Sequence, residues 1–318
     1  MDRQVRAVVF DETLNVVERP RPEPAADEAL IQLRLAGVCN TDLELMRGYK
    51  GFSGTLGHEF VGDVVEGPPE WVGQRVVGEI NVVCGVCDMC RRGAPTQCRQ
   101  RRTLGISDYD GAWADVFRLP ARNLYVVPEQ VPDEAAVFTE PVAAACQVLE
   151  SARIRPSDRV VLLGAGKLGM LVAQVIRLTG ADLSVVVRRD RQADLLNSWG
   201  IRAVYRSELP AGEADIVVDC TGTNSGFADA LDLVRPRGTI LLKSTYEGLS
   251  QADLTRVVVN ELRIIGSRCG PFAPALKLLA DRLIEVESLI EARYSLGDAQ
   301  TAVDHAARPG TFKVLLYP

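Results

Sequence analysis

Residues 158–180 read DRVVLLGAGKLGMLVAQVIRLTG. An apolar run meets a glycine-rich turn, and the turn opens into a segment with apolar residues at helical spacing. Gly164, Gly166 and Gly169 stand in G-x-G-x-x-G spacing, with Lys167 and Leu168 between the last two. In a strand–turn–helix setting the first glycine permits the tight turn and the second lets backbone approach a pyrophosphate. The third lets helix and strand pack closely, and the helix N-terminus favours negative charge. A glycine turn without a ligand is the plainer alternative. The pattern repeats further along the chain. DLSVVVRRD (182–190), DIVVDCTG (215–222) and GTILLKST (238–245) read as strands, and RQADLLNSWG (191–200) and SGFADALDLVRPRG (225–238) as helices. Apolar strands alternating with helices predict an α/β Rossmann fold, a doubly wound parallel sheet covered on both faces.

The end of the second strand bears on the choice of cofactor. An Asp or Glu there binds the ribose 2′-hydroxyl of NAD, whereas arginine suits a 2′-phosphate. This chain has Val187, Arg188 and Arg189, with Asp190 one step late. Guanidinium matches phosphate geometry, so NADP(H) is the preferred expectation and NAD(H) the second. The plainer reading leaves both arginines solvated.

Outside this region the chain changes character. ALIQLRLAGV, FVGDVVEG, QRVVGEINVV, ADVFRLP and NLYVVP, between residues 29 and 128, are short β-type runs punctuated by Gly and Pro. They predict a β-rich, partly open barrel. A length of 318 residues suggests about two domains. The expected division is a β-rich domain of residues 1–140 and 270–318, and a dinucleotide domain of residues 141–269. A net charge of −6 argues against a nucleic-acid binder. No apolar run is long enough for a membrane helix, and MDRQVRAVVFDETLNVV does not read as a signal peptide. Eight cysteines without a secretion signal favour metal ligands and free thiols, and a cytoplasmic location.

Cys84, Cys87, Cys90 and Cys98 follow a C-x2-C-x2-C-x7-C pattern. Four thiolates close a tetrahedral Zn²⁺ shell and leave no open position, which is a structural rather than a catalytic site. An iron–sulfur cluster and disulfides are the alternatives. Arg91, Arg92, Arg99, Arg101 and Arg102 flank the loop and are expected to offset the negative charge of such a site. The chain has two histidines. His305 lies in AVDHAARPG, a helical and exposed context, while His58 lies in GTLGHEFVG beside Glu59.

GVCNTDLELMRG, LGHEFVGDV, CGVCDMCRRGAPTQC, FTEPVAAACQVL and GAGKLG occur in an order and spacing that resembles the zinc-dependent medium-chain alcohol dehydrogenases, on their sorbitol and polyol dehydrogenase side. The resemblance covers essentially the whole length. It implies a catalytic zinc held by Cys39, His58 and Glu140, with Glu59 as the alternative or exchanging ligand. It implies a structural zinc on the four-cysteine loop. Asp42 would accept the second imidazole N–H of His58, and Thr41 would pass on the proton of the substrate alcohol. The family often has histidine where this chain has Glu44, which leaves the outer end of the proton path open. Lys313 falls where the family carries a cation near the cofactor pyrophosphate, a solvated lysine being the alternative. Trp113, Tyr49 and Phe52 either line the substrate pocket or pack in the core.

The resemblance further implies a small alcohol or carbonyl substrate and a homodimer or homotetramer, with residues 257–270 supplying an edge strand. Neither nucleic acid nor membrane is expected as a partner. A zinc-free quinone or enoyl reductase of the same superfamily is the second reading. A zinc-stabilised nucleic-acid-binding or regulatory protein is the third.

Overall fold

The computed structural model describes residues 4–244 and 252–318. The N-terminal residues 1–3 and Thr245, the last residue of the expected fourth strand, lie outside that range. The chain divides into two compact units. One comprises the residues up to Glu140 together with Phe272–Pro318, and the other is Pro141–Pro271.

The second unit is a six-stranded, wholly parallel sheet. Its spatial order is Arg202–Val204, Asp182–Val186, Arg159–Leu163, Ala214–Asp219, Val234–Leu242 and Arg263–Gly266. The chain starts in the middle, winds outward to one edge, and returns to build the other half. The reversal falls beside Arg159–Leu163, the strand that runs into the glycine turn. Ligands of open α/β sheets bind at this switch point, outside the carboxyl ends of the strands. The helix Lys167–Arg177 buries every residue from Gly169 to Ile176. That explains why its sequence is apolar nearly all round. The last full strand begins at Val234, earlier than its apolar run suggests, and takes in Pro236. A register shift between Ala214 and Ile216 absorbs the irregular start.

The first unit carries a seven-stranded sheet. Leu124–Val126, Arg75–Gly78, Glu59–Glu66, Glu28–Val38, Lys313–Tyr317 and Ile290–Ser295 follow one another, and Val116–Pro120 also pairs with Glu28–Val38. The long central strand therefore has Glu59–Glu66 on one side and the C-terminal strand on the other. Phe60 and Phe117 pack edge to face with centroids 4.8 Å apart. Trp113 is fully buried and donates from Nε1 to the Gly37 carbonyl at 3.2 Å, so it is a core residue and not a pocket wall. Phe52 packs against the same core, while Tyr49 is exposed. Among the described residues no helix is long and apolar enough to cross a membrane.

Candidate metal centres and dinucleotide turn

Cys39 is the N-cap of the short helix Asn40–Met46, and its N–H donates to Asp42 Oδ2 at 2.8 Å. The other carboxylate oxygen, Asp42 Oδ1, lies 3.2 Å from His58 Nδ1. Both atoms are buried without another polar partner. Asp42 thus ties the cysteine's backbone to one edge of the imidazole, leaving the other edge for a ligand. Burial disfavours the charged imidazole, but Asp42 and Cys39 outweigh it and hold the His58 pKa well above its usual value. Cys39 Sγ is 3.8 Å from Thr41 Oγ1.

The ligand atoms of Cys39, His58 and Glu59 all lie within 4.8 Å of one another. That set contains Glu59 and not Glu140, so the structure gathers the alternative carboxylate around the thiol and imidazole. Glu59 is 1% exposed and forms an ion pair with Lys313, itself 4% exposed. Their strands reach this arrangement through Glu28–Val38, on which Gly37 stands opposite Glu59. A Cβ at Gly37 would come within 2.1 Å of Glu59 Oε2, so only glycine lets the carboxylate fold over the strand. Lys313 is therefore neither solvated nor isolated. Burial lowers its pKa, but Glu59 and Cys39 prevail and keep the ammonium charged. Glu140 feels the same cluster from a partly exposed position. Desolvation pushes its carboxyl up to about 7, against the pull of His58 and Lys313. Glu44 turns to Arg47, accepting at 2.6 Å on the exposed face of the helix. His305 is not exposed as its context suggests. Its side chain is 19% exposed, with Nδ1 3.1 Å from the Tyr294 hydroxyl.

The four-cysteine loop closes on itself. Sγ separations are 3.5 Å for Cys87–Cys90, 3.5 Å for Cys84–Cys98 and 3.9 Å for Cys87–Cys98. Zn–S bonds of about 2.3 Å place the edges of a tetrahedron near ~3.8 Å. A disulfide needs ~2.05 Å, far shorter than any of these. The donor set and its spacing therefore fit zinc. Backbone N–H groups act on the thiols alongside the Arg99 guanidinium, which interacts electrostatically with Cys87. The Arg99 N–H, followed by that of Cys90, pulls the Cys87 thiol down to about 6, and burial pushes Cys90 up to about 12. The Arg99 guanidinium is engaged by Asp88 at 2.6 and 2.9 Å, and Arg102 lies over the Tyr109 ring at 5.0 Å.

In the parallel-sheet unit the glycine turn has the shape its sequence predicts. Gly164 has φ 95°, and a Cβ there would meet the Cys220 carbonyl at 2.9 Å. At Gly166 a Cβ would meet nothing within 4 Å, so this face of the turn is open to a ligand. A Cβ at Gly169 would come within 1.8 Å of the Gly164 carbonyl oxygen. Arg188 and Arg189 are exposed at the strand end, and Asp190 accepts from the Tyr205 hydroxyl at 2.6 Å. Sequence reading missed Gln192, which looks like a surface helix residue. Its Nε2 donates to the Ala165 carbonyl at 2.8 Å and its Oε1 accepts from the Arg188 N–H at 3.2 Å. It ties the glycine turn to the end of the second strand.

A thiol–imidazole–carboxylate cluster on one unit that could hold a metal, and a glycine turn of dinucleotide-binding shape on the other, are features of a nicotinamide oxidoreductase. Residues 25–129 match the alcohol dehydrogenase GroES-like domain, and residues 168–283 match the zinc-binding dehydrogenase family. The chain is 29% identical to a sorbitol dehydrogenase of Halalkalibacterium halodurans, over 95% of each chain. A Sinorhizobium meliloti 1021 structure bound to NADP superposes with a TM-score of 0.92 at 28% identity, covering 100% of both chains. The alcohol dehydrogenase rspB of Escherichia coli CFT073, complexed with NADH, gives 0.92 at 27% identity, again over 100% of both. The chain belongs to the zinc-dependent medium-chain alcohol dehydrogenase family, and its activity is that of an NAD(P)-linked alcohol dehydrogenase.

Proposed function

We propose that the chain oxidises a secondary alcohol or polyol, or reduces the matching carbonyl compound, using a catalytic zinc and NADP(H). The observation that carries this reading is the buried convergence of Cys39, His58 and Glu59, with Asp42 behind the imidazole. Zinc bound there would act as a Lewis acid, lowering the pKa of a substrate hydroxyl. Cys39 and His58 would hold it, with Glu59 or Glu140 as the third ligand and the fourth position left for substrate. Lys313 is paired with Glu59 and would take up its charge if Glu140, and not Glu59, held the metal. Thr41 Oγ1, beside Cys39 Sγ, would accept the hydroxyl proton while handing on its own. Since Glu44 is turned to Arg47, the proton then passes to water. Lys167 and Leu168, at the start of the helix, would present backbone N–H groups to the pyrophosphate. The sorbitol dehydrogenase similarity supports a polyol. The zinc-free reductase reading leaves the three-residue cluster without a purpose. Eight free thiols suit a reducing compartment, and the cytoplasm is the proposed location.

A panel of secondary alcohols, polyols and aldehydes, assayed with both cofactors, tests the activity. NADPH is expected to bind at least tenfold more tightly than NADH. Replacing Arg188 and Arg189 together by Ala should remove most of that preference, since each charge-assisted hydrogen bond contributes about 1.5–3 kcal/mol. Tighter NADH binding by the unaltered chain sinks the phosphate reading.

A homodimer is part of the proposal. Arg263–Gly266 is the edge strand of the parallel sheet, and among the described residues no strand pairs with its outer side. In the neighbouring helix, Val258 is 75% and Val259 72% exposed. Light scattering after gel filtration should give at least twice the chain mass. Charged replacements at Val258 and Ile264 should return the mass to that of one chain, and a monomeric unaltered chain refutes the proposal.

A further inference from the structure

We propose that Lys243 contacts the nicotinamide half of the cofactor, and that its charge makes the protein hold the reduced form more tightly than the oxidised form. The proposal rests on the dinucleotide reading above. A doubly wound sheet is two mononucleotide-binding halves. Arg188 lies just past the end of the strand Asp182–Val186 of the first half, so the adenosine 2′-position belongs there. The nicotinamide mononucleotide then runs over the second half, across the carboxyl ends of Ala214–Asp219, Val234–Leu242 and Arg263–Gly266. Lys243 directly follows the middle one of these strands.

Lys243 is 9% exposed, unusual for a lysine. Its Nζ donates to Ser267 Oγ at 3.3 Å, at the end of the neighbouring strand. Ser267 Oγ also accepts from Ser151 at 3.1 Å. The hydrogen bond to Ser267 fixes the ammonium at the ligand-binding edge of the sheet. Its field reaches the floor of the glycine turn. Burial pushes the Cys220 thiol up to about 12, and Lys243 is the group that opposes that rise. The Cys220 carbonyl in turn packs under Gly164.

The oxidised nicotinamide ring carries one positive charge and the reduced ring none. A fixed ammonium in the same half-site therefore penalises only the oxidised form. A unit charge several ångströms away in a partly solvated site changes the affinity ratio by on the order of tenfold. A purely structural lysine, clipping Ser267 in place, would weaken both forms alike.

The test is isothermal titration calorimetry of the full chain with NADP⁺, NADPH, NAD⁺ and NADH. The unaltered protein should bind each reduced form more tightly than its oxidised partner. Lys243→Met should lower the oxidised-to-reduced ratio of dissociation constants by about tenfold, and Lys243→Arg should preserve it. A ratio within twofold of the unaltered one in Lys243→Met overturns the proposal. If that variant does not fold, the unaltered protein decides, since equal or tighter binding of the oxidised forms overturns it too. Binding of neither pair would remove the dinucleotide reading itself, whereas binding with an unshifted ratio removes only the role of Lys243.

Discussion

Replacing Cys39 by Ser is expected to lower turnover by roughly a thousandfold or more, with bound zinc falling from about two ions per chain to about one. A serine hydroxyl stays protonated at neutral pH and offers zinc no thiolate. A Lewis acid contributes several kcal/mol of charge stabilisation, and each ~1.4 kcal/mol is tenfold in rate. The fold should survive, because the hydrogen bond to Asp42 comes from the Cys39 backbone N–H and serine is a favoured N-cap. Turnover, metal content by mass spectrometry and thermal midpoint are read together. Turnover above a tenth of the unaltered value, with zinc retained, would remove Cys39 from the chemistry.

The second large effect falls on the four-cysteine loop. Cys98 is its buried member, lying against both Cys84 and Cys87, and its sulfur accepts the N–H groups of Cys84 and Gln100 at 3.4 Å. Structural zinc sites contribute about 10–16 kcal/mol of apparent binding energy to folding, and losing one of four ligands forfeits a large share. Beyond the sulfurs, the side-chain contacts across the loop include an exposed Arg99–Asp88 ion pair. A two-residue pairing of Asn81–Val82 with Arg102–Thr103 closes its base, and none of the residues in its short helix Asp88–Arg91 is buried. Cys98→Ala should therefore open the loop locally. Trypsin should cut after Arg91, Arg92 or Arg99 at least tenfold faster than in the unaltered chain, while the parallel-sheet unit still binds dinucleotide. Chelation of the unaltered protein should reproduce the cleavage. Resistance to trypsin after both treatments would mean that no metal organises the loop.

The parts legible in advance are those built from neighbours in the chain. The strand, turn and helix around Gly164 lie within 23 residues, and the turn's φ of 95° is one that glycine adopts without strain. The four cysteines lie close enough in sequence for one short loop to gather their sulfurs. The carboxylate around Cys39 and His58 was less legible. Glu59 and Glu140 both carry the right chemistry, and only strand pairing brings Glu59 to the thiol. Context misled at His305, whose polar helix gives no hint of Tyr294 beneath it.

By itself the sequence determined the parallel-sheet unit, the β-rich unit, the closed four-thiol site and the identity of the groups able to bind metal and dinucleotide. Each follows from periodicity, glycine stereochemistry or donor count over short distances. Only the tertiary structure decided that Lys313 neutralises Glu59 across 254 positions, that Gln192 joins the phosphate turn to Arg188, and that Lys243 is buried at the sheet edge. These pairings depend on sheet register and on which faces lose water. Both are settled by burial over the whole unit, and no local pattern encodes them.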